Sequence, residues 1–390
     1  MKIKYLRLLD KYLGFLFCAA LRIAKHFGKT INFFDIRKTD RILIIKFWGF
    51  GSVILAFDFF QSIRKKFPNA YICALTLKEN SKIFKITGLF DEVVDIDIDN
   101  LFNFTLNIIK IIFLLRKKSF DVSFDLEFTS RFSAIVSCLV NAKKRIGFQY
   151  EGIWRGDCFT DLLHFQENKR LKDSYAKMIH FVNKDGDVLS APLKLNIEKQ
   201  QEKYVDNLLE KESLVNISPI VGMNINASEL CLFRRWPKEY FVVLAEELIK
   251  AYSSDIIFIG SSGDFRYVDE TIGLIADERR KKVHNFAGRI SLIQLVYLIS
   301  KLNLFITNDS GPLHLAVFLK IPTISFFGPE TPLIYGPNEG LHTVFYKNLS
   351  CSPCMRIRNY KHARCNNNQS CLKQIQPSEV LNEIRRKGIL

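Results

Sequence analysis

The run Asn308-Asp309-Ser310-Gly311-Pro312-Leu313-His314 holds the residues best suited to chemistry in this 390-residue chain. It follows Leu304 to Thr307, an apolar stretch that reads as a strand, and a helix is expected to open at Pro312. Gly311 lets a ligand approach the backbone, and the free amides of the first helical turn make an anion site suited to pyrophosphate. Asp309 and Ser310 are placed to bond ribose or phosphate oxygens, with His314 one turn in. The competing reading is an ordinary N-cap, Asp or Ser before Pro.

Three other segments carry charge or glycine at the expected ends of strands. Gly49-Phe50-Gly51-Ser52 turns from the strand Arg41 to Phe47 into a helix. Glu127 ends the strand Val122 to Leu126, with Arg131 one helical turn further on; they read as a catalytic carboxylate with a phosphate-binding cation, or as a solvated Glu with an Arg partner. Gly260-Ser261-Ser262-Gly263-Asp264 follows another strand, so Asp264 is either a ribose ligand or a helix cap.

Cys351, Cys354, Cys365 and Cys371 form a C-x2-C-x10-C-x5-C set in a basic, Asn-rich loop. Four thiolates at such spacing suit structural zinc, with His362 as a substitute ligand; two disulfides or free thiols are the other readings. The remaining five cysteines are scattered, and the absence of a signal-peptide pattern points to reduced thiols.

The elements that must position these residues alternate short β-branched or aromatic runs with amphipathic stretches, the pattern of βα units on a parallel sheet. Two such series follow one another, giving two Rossmann-like halves in which motifs after strands face a cleft. The expected organisation is a basic extension over 1–40 and a first domain over 41–190. A linker helix over 191–216, a second domain over 217–376 with the Cys-rich loop at 351–371, and a terminal helix over 377–390 complete it. That last helix is expected to pack on the first domain.

The formal net charge of +16 attracts polyanions. No helix-turn-helix, zinc-finger spacing or RNP-like strand is present, so nucleic acid ranks low among partners. Residues 1–40 hold nine Lys or Arg interleaved with Leu and Phe, a basic amphipathic helix. Its longest uncharged run, Tyr12 to Leu21, is half of the ~20 residues that span a bilayer. Such a helix either lies against anionic lipid or packs on the first domain. A cytoplasmic protein, peripheral on the inner membrane, is expected.

Asn308 to Ala316 and the following Pro322-Thr323-Ile324-Ser325-Phe326-Phe327-Gly328-Pro329 resemble glycosyltransferase family 9, the ADP-heptose:lipopolysaccharide heptosyltransferases. Arg41 to Phe67 and Phe67-Pro68-Asn69-Ala70 are similar to the family's opening pattern. The resemblance implies an α/β protein of GT-B type, two Rossmann-like domains whose parallel sheets face a central cleft. It implies inverting, metal-independent transfer of heptose from a nucleotide sugar to a membrane glycolipid.

By that resemblance Arg234, before Trp236-Pro237, clamps the donor pyrophosphate; Asp264, Asp309, Ser310, Gly311 and His314 complete donor binding. Gly51, Arg131 and Arg145 fall on acceptor-side positions. The chain departs from the family at Ser52, where many members have the Asp thought to deprotonate the acceptor. A serine hydroxyl takes up no proton at neutral pH, so either Glu127 replaces it as base or the protein is inert and binds sugar nucleotide or glycolipid. A nucleotide-sugar epimerase or dehydrogenase lacks support, because no full G-x-G-x-x-G is present.

Overall fold

In the computed structural model the buried apolar runs become two six-stranded sheets whose neighbouring strands are all parallel. The structure describes residues 3–26, 35–98, 101–182, 193–214, 218–228, 231–338, 340–357 and 364–390. The chain divides into two units, Met1–Asn196 and Ile197–Leu390.

The first unit opens with helix α1 (Ile3–His26), then β1 (Arg41–Ile45), α2 (Phe50–Ile54), α3 (Phe57–Lys66) and β2 (Tyr71–Leu77). Next come α4 (Lys78–Ile86), β3 (Glu92–Ile96), α5 (Leu101–Lys117) and β4 (Val122–Asp125). It closes with α6 (Arg131–Val140), β5 (Lys144–Gln149), β6 (Asp161–His164) and α7 (Leu171–Met178). The strand order is β3-β2-β1-β4-β5-β6. Ile42 to Ile45 of β1 are fully buried, as a central strand covered on both faces requires.

The second unit runs α8 (Lys199–Lys211), β7 (Ile220–Asn224), α9 (Lys238–Tyr252), β8 (Asp255–Phe258) and α10 (Phe265–Ile272). It continues with α11 (Asp277–Arg280), β9 (Val283–Asn285), α12 (Leu292–Ser300), β10 (Leu304–Asn308) and α13 (Gly311–Phe318). The last elements are β11 (Thr323–Phe326), α14 (Pro332–Tyr335), β12 (His342–Phe345), α15 (Ser370–Lys373) and α16 (Pro377–Lys387). The order β12-β11-β10-β7-β8-β9 repeats the doubly wound plan of the first sheet. Each sheet reverses direction at one place, between β1 and β4 and between β7 and β10, where such sheets open a crevice at their carboxyl ends.

Two expectations are corrected. The terminal helix α16 packs on α9 in its own unit, because Val380, Leu381 and Ile384 enter the core that holds Trp236, Phe241 and Leu244. The linker helix is α8, and it belongs to the second unit: it packs on α12, where Tyr297 donates to Asp206 at 3.1 Å.

The N-terminal helix packs on the first unit along one face. Asp10 accepts from the amide of Arg131 (3.0 Å) and from Ser130 Oγ (3.2 Å), so a residue of α1 caps α6. Gly14 makes this approach possible, since a Cβ there would lie 2.8 Å from Arg131 Cβ, and Cys18 is fully buried. Among the described residues no helix is long and apolar enough to cross a membrane.

Candidate active site

In the second unit the polar residues gather where β7 and β10 end. Asn308 is fully buried and acts as a clip: its Oδ1 accepts the Trp236 amide at 2.8 Å, and its Nδ2 donates to the Asn226 carbonyl at 3.2 Å. Trp236 is itself locked, stacked on Phe326 at 4.1 Å and donating from Nε1 to Ile375. The chain just before Trp236 is thereby fixed beside β10. Arg234 Nη1 meets Asp309 Oδ2 at 3.1 Å, and both side chains are largely buried. The Nε–H of Arg234 is buried without a hydrogen-bond partner, which leaves a cationic donor open at this point.

Ser310 is the N-cap residue of α13 by position, yet its hydroxyl does not cap the helix. It bonds Asn224 Nδ2 (3.0 Å) and Thr307 Oγ1 (2.9 Å) instead, so α13 starts without a side-chain cap from Ser310. An uncapped helix start beside an arginine suits an anion. His314 is buried in the same turn.

Asp264 takes the capping role that its position left open. Its Oδ2 accepts from Ser261 N (2.9 Å) and Oγ (2.6 Å), a reciprocal capping box. Its other oxygen lies 3.7 Å from Arg235, whose guanidinium covers the Tyr267 ring at 4.1 Å. Burial pushes the Tyr267 hydroxyl upward against the pull of Arg235. Gly288 has φ +73°, and a Cβ there would lie 2.9 Å from Ser262 Cα, so this loop needs glycine.

In the first unit the switch point is built around an ion pair. Glu127 Oε1 accepts from Lys46 Nζ (2.7 Å) and from the amides of Phe47 (2.8 Å) and Trp48 (2.9 Å). Both charged side chains are buried. An oxygen holding one ammonium and two amides fastens the glycine turn, a structural part that the sequence did not show for Glu127. Ser52 likewise turns inward, donating to the carbonyls of Trp48 and Gly49 at 2.8 Å. Gly51 is buried in α2, and Gly49 adopts φ +81°.

Arg131 is covered by α1. Its Nε donates to the Trp154 carbonyl at 2.9 Å, its guanidinium lies 5.8 Å from the Phe15 ring, and its Nη1 is buried without a hydrogen-bond partner. Arg145 is the clearest correction. It pairs in register with Ser123 near the start of β4, at the end of the sheet opposite the glycine turn. There it donates to the carbonyls of Ala142 (2.6 Å) and Cys158 (2.8 Å), tying down the turn after α6. Its place is structural.

Sequence reasoning missed Lys46, Asn224, Asn226, Asn308 as a clip, and the fully buried Asp125 with its partner Arg155. Burial pushes the Asp125 carboxyl upward, and the Arg155 charge opposes it. A lysine ending a strand of Ile and Leu was the visible signal for Lys46.

The four clustered cysteines line one cavity of about 160 Å³ with Phe233, Pro329 and Asn367. Burial, then the neighbouring thiols, pushes Cys371 up to about 11. Among the described residues no three Cys, His, Asp or Glu side chains converge as a metal-binding group, and His362 lies outside them.

Two doubly wound units, each with a polar cluster at its switch point, make the architecture of the GT-B class. The fold matches the E. coli ADP-heptose lipopolysaccharide heptosyltransferase II with a TM-score of 0.70, at 21% identity, over 89% of this chain and 98% of that one. A family 9 glycosyltransferase from Veillonella parvula matches with a TM-score of 0.74 at 20% identity, over 89% and 96%.

The model of glycosyltransferase family 9 (heptosyltransferase) matches residues 108–363, and the chain belongs to that family. Lipooligosaccharide heptosyltransferase 2 of Campylobacter jejuni is 30% identical over 275 residues, 70% of this chain and 76% of that one. Lipopolysaccharide heptosyltransferase 2 of E. coli K12 is 27% identical over 232 residues, 56% and 62% of the two chains. The protein is a glycosyltransferase.

Proposed function

We propose that this enzyme moves a heptose, with inversion, from ADP-heptose to a lipopolysaccharide core or similar glycolipid. The observation that carries the reading is the Arg234–Asp309 pair beside the uncapped start of α13. Donor diphosphate set there meets a guanidinium fork, backbone amides and the positive end of a helix. These groups grow more favourable as charge develops on the departing diphosphate while the acceptor hydroxyl oxygen attacks the anomeric carbon and releases its proton to water. The reading is therefore metal-independent. Relatives named heptosyltransferase 2 in Campylobacter and E. coli support the sugar and the acceptor class.

Asp309 suits the ribose or sugar hydroxyls, and Arg234 offers its unpaired Nε–H to phosphate. Glu127 and Lys46 act by holding the glycine turn in shape. A lipid-linked acceptor sets this work at a membrane surface, with residues 1–40 as a contact to anionic lipid on the cytoplasmic side. Calorimetric titration with ADP tests the donor site: Arg234→Ala and Asp309→Ala should each weaken binding, and unchanged affinity in both removes the assignment.

A further inference from the structure

Helices α1 and α5 keep large apolar side chains outside the core of the first unit. Tyr12, Leu16 and Ile23 on α1, and Leu106, Ile109 and Phe113 on α5, are between 56 and 66% exposed. The spacing is helical in both cases, so each set forms one stripe. On α5 the opposite face carries Ile108 and Leu115 into the core. On α1 the opposite face carries Gly14 and Cys18 against the unit.

Both stripes belong to one surface, because both helices pack on α6. Helix α5 takes the flank of Phe132, Val136 and Val140, and α1 takes the flank of Arg131 and Cys138. Between them α6 turns Ile135 and Leu139 outward, half-buried.

The exposed charge of the two helices themselves is basic, with Asp157 beside Arg22 at 3.1 Å. Helix α5 has no acidic residue, and the only acid of α1 is Asp10, which is turned inward onto α6. Lys11, Arg22, Lys110, Arg116 and Lys117 are exposed. Lys117 Nζ lies 4.4 Å from the Phe113 ring and Lys11 Nζ 5.2 Å from the Tyr12 ring, so ammonium groups border the apolar stripes. A second copy of this chain docked face to face would set these cations against their equals. An anionic bilayer instead takes the apolar side chains below its headgroups and pairs the cations with phosphate.

We propose that α1 and α5 together form a docking surface for anionic lipid bilayer, with α1 remaining packed on α6. The proposal rests on the lipid-linked acceptor suggested above and extends the contact from the N-terminal helix to α5. The test is sedimentation of the full chain with vesicles of phosphatidylglycerol and phosphatidylethanolamine, against vesicles of phosphatidylcholine alone. The wild-type protein should sediment with the anionic vesicles and be released by high salt.

Ile109→Glu with Phe113→Glu should cut the bound fraction by roughly tenfold or more, and Leu16→Glu should act in the same direction. Lys110→Glu with Lys117→Glu should lose only the preference for anionic lipid. Circular dichroism and ADP affinity should be unchanged in all of them. The proposal is overturned if the α5 variant binds as the wild type does, or if the wild type stays in the supernatant. It is also overturned if these substitutions dissolve a dimer of a protein that binds no vesicle. No donor or acceptor enters this assay, so its failure leaves the sugar-transfer reading standing, and absent transfer with intact vesicle binding separates the two.

Discussion

Arg234 and Asp309 lie 75 residues apart and meet at 3.1 Å where β10 ends. The pair ties the turn before α9 to the strand that feeds α13. Removing either partner should weaken ADP binding by about tenfold or more, since charge-assisted bonds contribute ~1.5–3 kcal/mol. The double variant should lose less than the sum of the two, because the residues share one network. Additive losses in a titration series would show that they act separately.

Asn308, next to Asp309 in the chain, holds the Trp236 amide two residues after Arg234. Asn308→Ala removes the acceptor of the Trp236 amide and should cost about 1–3 kcal/mol of stability. ADP affinity should fall although Arg234 and Asp309 are intact. Denaturant midpoints with ADP titration at a temperature where the variant stays folded measure both effects; unchanged affinity would detach Asn308 from the site.

Glu127→Gln separates a fastener from a base. The substitution leaves Lys46 buried without a counter-charge, and breaking such a pair typically costs about 3 kcal/mol or more. A large drop in the unfolding midpoint, with turnover lost in proportion to the unfolded fraction, is expected. Full stability with abolished turnover would restore Glu127 as the base.

Arg145→Ala should lower stability by about 1 kcal/mol through its lost carbonyl bonds. The KM for acceptor should not change, and a KM raised severalfold in steady-state kinetics would contradict the placement of Arg145 away from the site.

Glu92 gives a pH signature far from the chemistry. Bonds from Lys118 and then Tyr71 hold its carboxyl below the usual 4.5. A lowered folded value means the stabilisation is present at neutral pH and is lost as pH falls below 4.5 and through the folded value. The pair is partly exposed, so the effect should be about 1 kcal/mol or less. Urea midpoints of the wild type and Glu92→Gln should converge on acidification; a constant gap would exclude the linkage.

Much of the fold was legible because buried parallel strands are continuous apolar runs: Arg41 to Ile45 and Leu304 to Thr307 could be read directly. Strands β5 and β6 were not, since Lys144-Arg145 opens one and Asp161 the other. The donor cluster was legible because strand, glycine and proline follow in a row at Asn308 to Pro312. The first-unit site was less legible for a physical reason: a sequence shows that Glu127 ends a strand but not that Lys46 and two amides converge on its Oε1. The same limit holds for Arg145, whose end of the sheet depends on register.

The central claim is heptosyl transfer. Purified protein incubated with ADP-heptose and a lipopolysaccharide core lacking its outer heptose, followed by mass spectrometry of the acceptor, measures it most directly. Addition of one heptose to the acceptor with release of ADP is predicted, and its loss in Arg234→Ala should follow. A folded protein that binds ADP yet leaves both donor and acceptor unchanged would contradict the account.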